Sequence, residues 1–181
     1  MLRFGVTTYF RCRGLRTGSR RADTCFHNAF KDFFRPFLMS VSKTSISQEG
    51  TVMHYSVGAL IEKNGKYLLI DRVQPPYGFA GIAGHIDAGE DPVQALVREV
   101  KEESGLTVQE YHLCFEEEVP NNVCSKGITV HYWYLYECKV SGEIQKNTKE
   151  TKSIGWYSKE ELKRLKLEPV WQYWFKKLKI L

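Results

Sequence analysis

The pattern of apolar and polar positions becomes regular from about Met53 onwards. Apolar side chains alternate with polar ones or run together over residues 55–62 and 66–72, which predicts two β-strands. Asn64 and Gly65 lie between these segments, and both residue types accept a positive φ angle, so a β-hairpin is expected there. Further strands are predicted over residues 79–83, 108–119, 128–140 and 154–157.

The clearest helix is predicted over residues 92–104. Pro92 suits the first helical position, Asp91 suits the N-cap before it, and Gln94 completes a capping box with Asp91. Gly105 suits a left-handed cap that ends the helix. Further helices are predicted around residues 26–37, from residue 158 and from residue 169.

The positive charge of the chain belongs to its first segment. The whole chain carries a formal charge of +5, but residues 1–52 contain nine basic and three acidic residues, a net charge of +6. Residues 53–181 contain 17 basic and 18 acidic residues, a net charge of −1. We therefore divide the chain into a basic N-terminal extension, which ends in a polar linker at residues 40–50, and a domain over residues 53–181.

Three interpretations of the basic segment remain open. Its first 22 residues contain six arginines and no acidic residue, a composition typical of mitochondrial transit peptides. The same charge would suit a functional extension that binds nucleic acid or an anionic membrane surface. Alternatively, Met53 is the true start, and the preceding residues are an upstream translation.

Five widely spaced cysteines indicate reduced thiols in a cytoplasmic protein. No C-x-x-C pair is present, so a zinc site is not expected. His54, His112 and His131 have no spacing that suggests a shared ligand, and we interpret them as structural. No apolar run approaches the roughly 18 residues that a membrane span requires.

The helix at residues 92–104 carries an unusual concentration of negative charge. Glu99, Glu102 and Glu103 are spaced i, i+3 and i+4, so they share one helix face, where like charges cost about 0.2–0.5 kcal/mol per pair. One explanation is a solvated acidic face that Arg98 and Lys101 partly neutralise. The other is a site for Mg²⁺, which prefers hard oxygen ligands and keeps several of its waters.

A wider motif favours the metal site. The pattern G-x5-E-x7-R-E-U-x-E-E-x-G-U, where U is a bulky aliphatic residue, is matched by Gly84, Glu90, Arg98, Glu99, Val100, Glu102, Glu103, Gly105 and Leu106. A chance match is expected at on the order of one in 10⁸ starting points. The segment resembles the Nudix box of the Nudix hydrolases, and the resemblance extends over residues 53–165.

This resemblance implies an α/β fold, an α/β/α sandwich around a mixed β-sheet. It also implies hydrolysis of a pyrophosphate bond in a nucleoside diphosphate-X or nucleoside triphosphate, with Mg²⁺ or Mn²⁺ as cofactor and water as nucleophile. By the same resemblance, Glu102 and Glu103 are expected to bind the metal, helped by a backbone carbonyl at Ala83 or Gly84. Glu99 is expected to be either a ligand or the general base.

The remaining site residues are assigned less directly. The resemblance gives Arg98 the role of orienting Glu99 or balancing the acidic cluster. It gives Glu90 either a structural role in the loop or a contact with the metal through water. Some family members recruit a further glutamate before the late Trp-containing strand, and Glu150 fits that position as ligand or base. The weaker candidates for contacts with the substrate are Arg72, Tyr77 and His85.

Two other functions remain open at this stage. The basic segment would suit a hydrolase of capped RNA ends, with RNA as its partner. A non-catalytic Nudix module that binds a nucleotide is the second alternative, although the intact glutamates argue against it. A small nucleotide is the expected partner, and a homodimer is left open.

Overall fold

The computed structural model describes residues 41–181. The helix predicted around residues 26–37 and most of the basic segment lie outside the described residues. Eleven elements follow one another along the described chain. They are β1 (Thr44–Ile46), β2 (Val52–Lys63), β3 (Lys66–Arg72), β4 (Phe79–Ala80), β5 (Ile82–His85), α1 (Pro92–Ser104), β6 (Thr107–Val119), β7 (Val130–Ser141), β8 (Thr151–Ser158), α2 (Lys159–Leu162) and α3 (Pro169–Lys177).

The long strand β2 organises a mixed sheet. It pairs in parallel with β7, from Met53 opposite Val130 to Ile61 opposite Cys138. It also pairs antiparallel with β5, while β6 continues the sheet antiparallel to β7. On the other side, β3 pairs antiparallel with both β4 and β8. The predicted α/β fold with a mixed sheet is therefore confirmed.

Local sequence signals fix the ends of the elements near the acidic helix. Asn64 and Gly65 have φ angles of 55° and 76° in the turn between β2 and β3, as the hairpin prediction requires. The Asp91 side chain accepts hydrogen bonds from the N–H groups of Val93 and Gln94 at the start of α1. Gly105 ends this helix with a φ angle of 73°. The helix therefore begins and ends at the predicted residues.

Helix α3 supplies the bulkiest part of the core. Trp171, Trp174 and Phe175 are completely buried, which agrees with the apolar pattern after Pro169. A Cβ atom on Gly81 would lie 2.3 Å from the Trp171 ring, so the indole packs directly on the backbone between β4 and β5. This contact fixes the segment that leads into the Nudix box.

The polar stretch predicted as a linker contains strand β1, so that part of the prediction is wrong. β1 pairs antiparallel with β2, from Thr44 opposite His54 to Ile46 opposite Val52. The Lys43 N–H also donates to the Ile86 carbonyl at 2.7 Å, and the Ala88 N–H donates to the Val41 carbonyl at 2.8 Å. An outer strand needs backbone partners rather than apolar side chains, which explains its polar sequence. That residues 1–40 form a separate extension stays a prediction.

None of the helices within residues 41–181 is long and apolar enough to cross a membrane.

The contacts of β1 predict the effect of beginning the chain at Met53. This form would lose β1 and the hydrogen bonds that tie Lys43 and Val41 to the box loop, so it should unfold more easily than the full chain. Each such bond contributes about 0.5–1.5 kcal/mol, and we expect a loss of about 2–4 kcal/mol in urea-induced unfolding. A form that begins at residue 41 is the matched control. Equal stability of the 41–181 and 53–181 forms would contradict this account.

Candidate active site

Arg98 joins helix α1 to the loop that precedes it. Its Nε and Nη2 atoms donate to the two carboxylate oxygens of Glu90, both at 2.9 Å, and Nη2 also donates to the His85 carbonyl at 2.9 Å. Its Nη1 atom donates to Glu99 Oε1 at 2.6 Å. Glu90 in turn accepts the Asp87 N–H at 3.1 Å. One guanidinium thus fixes the loop, the helix and the carboxylate of Glu99 relative to one another.

The Glu99 carboxylate lies directly against the backbone of Gly84. A Cβ atom at Gly84 would stand 1.9 Å from Glu99 Oε1, so only glycine leaves room for this arrangement. The pKa of Glu99 is raised to about 7, chiefly by burial, with the charges of Glu102 and Glu150 acting in the same direction and Arg98 opposing them. The box therefore places a carboxylate where its negative charge is costly without a cation.

Glu103 is buried more deeply than Glu99, whereas Glu102 lies at the surface. The Glu103 side chain accepts the Ala83 N–H at 3.0 Å, and only 4% of the residue is exposed. Burial first, and then the charge of Glu99, raise its pKa well above the ordinary value. The Glu102 side chain is 57% exposed and contacts Arg98 Nη1 at 3.4 Å. The helix face that the spacing predicts therefore extends from the buried Glu103 to the exposed Glu102.

Gly84, Glu99 and Glu103 border a cavity of about 240 Å³. One wall carries Ala83, Gly84, Glu99, Glu103 and Glu150. The loop between β6 and β7 and the start of β7 contribute residues 122–125, His131 and Trp133. The Trp133 indole donates to Asn122 Oδ1 at 2.7 Å, which ties the loop to the sheet. The cavity therefore combines an acidic wall with an aromatic group.

Of the remaining candidates from the sequence, Glu150, Arg72 and His85 line this cavity, whereas Tyr77 does not. Glu150 lies just before β8, and its charge raises the pKa values of both Glu99 and Glu103. Arg72 ends β3, where its Nε atom donates to the Pro76 carbonyl at 3.1 Å. Tyr77 is 55% exposed, and it is not among the residues that line the cavity.

Sequence reasoning missed Glu168, which lies before α3. Only 5% of this residue is exposed, it lines the cavity, and burial raises its pKa to about 7 in spite of the nearby charge of Arg72. Its position before Pro169 resembles an ordinary N-cap, although its side chain makes no capping hydrogen bond. No local signal in the sequence distinguishes it from an exposed glutamate.

Sequence reasoning also missed a group of three histidines and one cysteine. The donor atoms of His54, His85, His131 and Cys124 all lie within 4.8 Å of one another. His54 is directly opposite His131 in the register of β2 and β7, so sequence spacing does not reveal the pair. Burial is the main cause of a lowered pKa in all three histidines. The pKa of His85 is lowered to about 3 and the pKa of His131 to about 4, and the pKa of His54 lies below its ordinary value. The three imidazoles are therefore neutral near pH 7.

The acidic wall fits a hard divalent cation. Glu103 places a buried carboxylate on this wall and Glu99 a partly buried one, whereas Glu102 is not among the residues that line the cavity. The Arg98 guanidinium contacts both Glu99 and Glu102. A cation would remove the unfavourable burial of negative charge that raises the two pKa values. Carboxylate and carbonyl oxygens are the ligands that Mg²⁺ and Mn²⁺ prefer.

Replacing Glu168 by glutamine should change the way in which the free energy of unfolding depends on pH. Its pKa is raised to about 7 in the folded state from an ordinary value of 4.5, so the folded state binds the proton more tightly than the unfolded chain. The wild type should therefore lose on the order of 1–3 kcal/mol of unfolding free energy as the pH rises from about 5 to about 8. Glu168→Gln should lack this contribution but keep those of Glu99 and Glu103, whose pKa values are also raised, so the stability difference between the two proteins should change by this amount.

The measurement is urea-induced unfolding of both proteins at the two pH values, with EDTA present. A stability difference between variant and wild type that is the same at both pH values would contradict a buried, protonated Glu168.

Comparisons with known proteins agree with this geometry. A sequence model of the family described as the NUDIX domain matches residues 52–178. The chain is 34% identical over 120 residues to the CTP pyrophosphohydrolase of Escherichia coli strain K12, covering 62% of this chain and 82% of the relative. It is 31% identical over 90 residues to the asymmetrical bis(5'-nucleosyl)-tetraphosphatase of Caenorhabditis elegans, covering 49% of this chain and 62% of that relative, which is less than two thirds of its length.

A solved structure supports the fold. The MutT NUDIX hydrolase from Burkholderia pseudomallei superposes with a TM-score of 0.60 and 22% identity, covering 67% of this chain and 94% of the other. The family match spans the sheet, the box and helix α3, and every fixed position of the box is occupied. This chain therefore belongs to the Nudix family.

Proposed function

We propose that this Nudix hydrolase uses Mg²⁺ or Mn²⁺ to cleave a pyrophosphate bond in a nucleoside diphosphate-X or nucleoside triphosphate. The observation that carries the proposal is the placement of two carboxylates, the buried Glu103 and the partly buried Glu99, on one wall of a cavity. Two relatives are named as a CTP pyrophosphohydrolase and a bis(5'-nucleosyl)-tetraphosphatase. Both names refer to a nucleoside polyphosphate as the substrate. Cleavage by water attack at phosphorus accounts for a cavity wall that carries several carboxylates.

The acidic wall has the donors for the cofactor. Glu99, Glu102, Glu103 and the Gly84 carbonyl would hold the cation. A bound Mg²⁺ or Mn²⁺ would neutralise phosphate oxygens, lower the pKa of a bound water and stabilise the leaving phosphate. Arg98 keeps Glu99 in place through the hydrogen bond at 2.6 Å while also holding the loop through Glu90.

Two carboxylates are candidates for the general base. Glu99 is held firmly but lies among the proposed ligands, whereas Glu150 stands on the loop before β8 and accepts a hydrogen bond from Asn147 Nδ2 at 3.3 Å. Either would take the proton from the attacking water. Arg72 carries the positive charge at the cavity that suits a substrate phosphate, and Trp133 offers an indole to the nucleobase.

The remaining sequence-based expectations stay predictions. Hydrolysis of capped RNA would draw on the basic residues before residue 41, which lie outside the described part of the chain. A non-catalytic role, a homodimer and a cytoplasmic location likewise stay predictions, and so does the involvement of His85 or Tyr77 in substrate binding.

The activity is tested by replacing Glu103 with glutamine. The substitution keeps the side-chain volume but removes the charge that would face the cation, so turnover should fall by about 100-fold or more. Release of phosphate or pyrophosphate is measured with Mg²⁺ and then with EDTA, over nucleoside triphosphates, nucleotide sugars, ADP-ribose and dinucleoside polyphosphates. Glu143→Gln, at an exposed residue away from the cavity, is the matched control. Unchanged turnover in Glu103→Gln would contradict the proposal.

A second prediction concerns Gly84. In Gly84→Ala the new methyl group would occupy the place of the Glu99 carboxylate, whose centre lies 2.0 Å from the ideal Cβ position. A carboxylate at the end of a flexible side chain can move away, so the fold should survive while kcat falls by about 10–100-fold. Gly155→Ala is the control, because its Cβ would meet its nearest neighbour at an ordinary 3.4 Å. Wild-type kcat in Gly84→Ala, with an unchanged thermal midpoint, would show that the position of Glu99 is unimportant.

A further inference from the structure

Four side chains with nitrogen or sulfur donors converge beside the acidic wall. They are His54 on β2, His85 on β5, His131 on β7 and Cys124 on the loop between β6 and β7. His54 and His131 are 6% and 2% exposed, while His85 and Cys124 are half-buried. The sheet register brings the three histidines together, and the loop adds the cysteine. The group is therefore formed by the tertiary fold rather than by a local motif.

The distances in this group suit tetrahedral coordination. His85 Nε2 lies 3.4 Å from His131 Nε2, and Cys124 Sγ lies 3.8 Å from His54 Nδ1. Tetrahedral zinc, with Zn–N bonds of about 2.0–2.1 Å and Zn–S bonds of about 2.3 Å, needs donor atoms about 3.3–3.6 Å apart. No pair of the four donors is separated by more than 4.8 Å, so small side-chain rotations would complete the geometry.

The orientations of the rings agree with a shared centre. The His54 ring meets the His85 and His131 rings nearly edge to face, at 83° and 78°, with ring centroids 4.8 and 5.6 Å apart. The His85 and His131 rings are inclined to each other by 34°, with centroids 5.5 Å apart. The distances between the donor atoms, rather than the ring planes, show that the nitrogens converge. Imidazole nitrogens and a cysteine thiolate are ligand types that tetrahedral zinc takes.

We propose that His54, His85, His131 and Cys124 bind one zinc ion, at a site separate from the carboxylates of the Nudix box. Nitrogen and sulfur donors favour zinc and related borderline metals over Mg²⁺, whereas the box offers the oxygen donors that Mg²⁺ prefers. The sequence argued against zinc because it contains no C-x-x-C pair. The proposed site needs no such pair, because its four donors come from four separate segments of the chain. The inference does not depend on the proposed hydrolysis.

Two nearby positive charges, those of Lys126 and Arg72, oppose a cation at this site, and the charge of Arg72 acts on His85. Lys126 lies on the same loop, and its Nζ atom donates to Ser42 Oγ at 2.8 Å. Its charge acts on both His54 and His85. A thiolate at Cys124 would compensate part of the charge of the metal, which gives the cysteine a larger share in binding than a fourth imidazole would have.

The zinc ion would fix one wall of the cavity. The loop that carries Cys124 also carries Asn122, which accepts the hydrogen bond from Trp133. His85 follows Gly84 directly and offers its carbonyl to Arg98. A metal bound to Cys124 and His85 would therefore connect this loop to the backbone of the Nudix box.

The test is titration of the full chain, freed of metal by a chelator, with Co²⁺ as a spectroscopic substitute for zinc. We expect one Co²⁺ per chain, with the visible absorption of tetrahedral cobalt and a thiolate-to-cobalt charge-transfer band. Both should vanish when zinc is added and should persist in a large excess of Mg²⁺. In Cys124→Ser the charge-transfer band should be lost and the affinity should fall by at least about 100-fold.

Matched variants separate this site from other donors. Cys114→Ser and His112→Gln, which alter residues outside the group, should keep the spectrum. Glu103→Gln should also keep it, so that failure of the proposed hydrolysis and failure of the zinc site are distinguished. Cys124 is half-buried on a loop, and a thermal midpoint of metal-free Cys124→Ser near that of the metal-free wild type verifies folding.

A second readout is the gain in thermal stability on binding zinc, which should occur in the wild type and be absent in Cys124→Ser. The proposal is overturned if the wild type binds no Co²⁺, if Mg²⁺ displaces it, or if Cys124→Ser keeps the charge-transfer band.

Discussion

The arrangement of the site depends on Arg98 and its contact with Glu90. The guanidinium uses two nitrogens for the Glu90 carboxylate, one of which also reaches the His85 carbonyl, and a third nitrogen for Glu99. The side chain of Arg98 is only 23% exposed, so these charge-assisted bonds are partly shielded from water. Removal of this one side chain would leave Glu90 and Glu99 without their guanidinium and would free the box loop from the helix. Catalytic geometry and loop structure are thus parts of one network.

The Nudix box could be predicted from the sequence because its signals are local. The capping box at Asp91, the left-handed Gly105 and the spacing of the three glutamates all lie within one helix and its ends. The register of that helix then fixes which residues face the cavity. The same reasoning predicted the hairpin at Asn64, where two adjacent residues determine the turn.

The features that sequence reasoning missed depend on pairing between distant segments. His54 and His131 are neighbours only because β2 runs parallel to β7 in one register, and a shift of one residue would separate them. β1 was mistaken for a linker because an outer strand is held by backbone bonds that leave no apolar pattern. Glu168 is buried by the packing of α3 and by the loop that follows β3, neither of which its neighbours in the sequence reveal.

The cavity brings hard and soft donors close together. Carboxylates from α1 form one wall, while three imidazoles and the cysteine sulfur lie on the strands and the loop beside it. Gly84 and His85 are adjacent in β5: the vacant Cβ position of Gly84 faces the Glu99 carboxylate, and the His85 imidazole belongs to the group of nitrogen and sulfur donors. One cavity would then hold two metal ions at separate sites, one that takes part in hydrolysis and one that fixes a loop.

The proposed hydrolysis requires a divalent cation to neutralise the carboxylates of the Nudix box. It is tested most directly by anomalous diffraction from crystals of the full chain that contain Mn²⁺ and a non-hydrolysable nucleoside triphosphate. We expect a manganese peak that is coordinated by Glu99, Glu103 and a phosphate oxygen. A nucleotide in the cavity with no manganese at these carboxylates would contradict it.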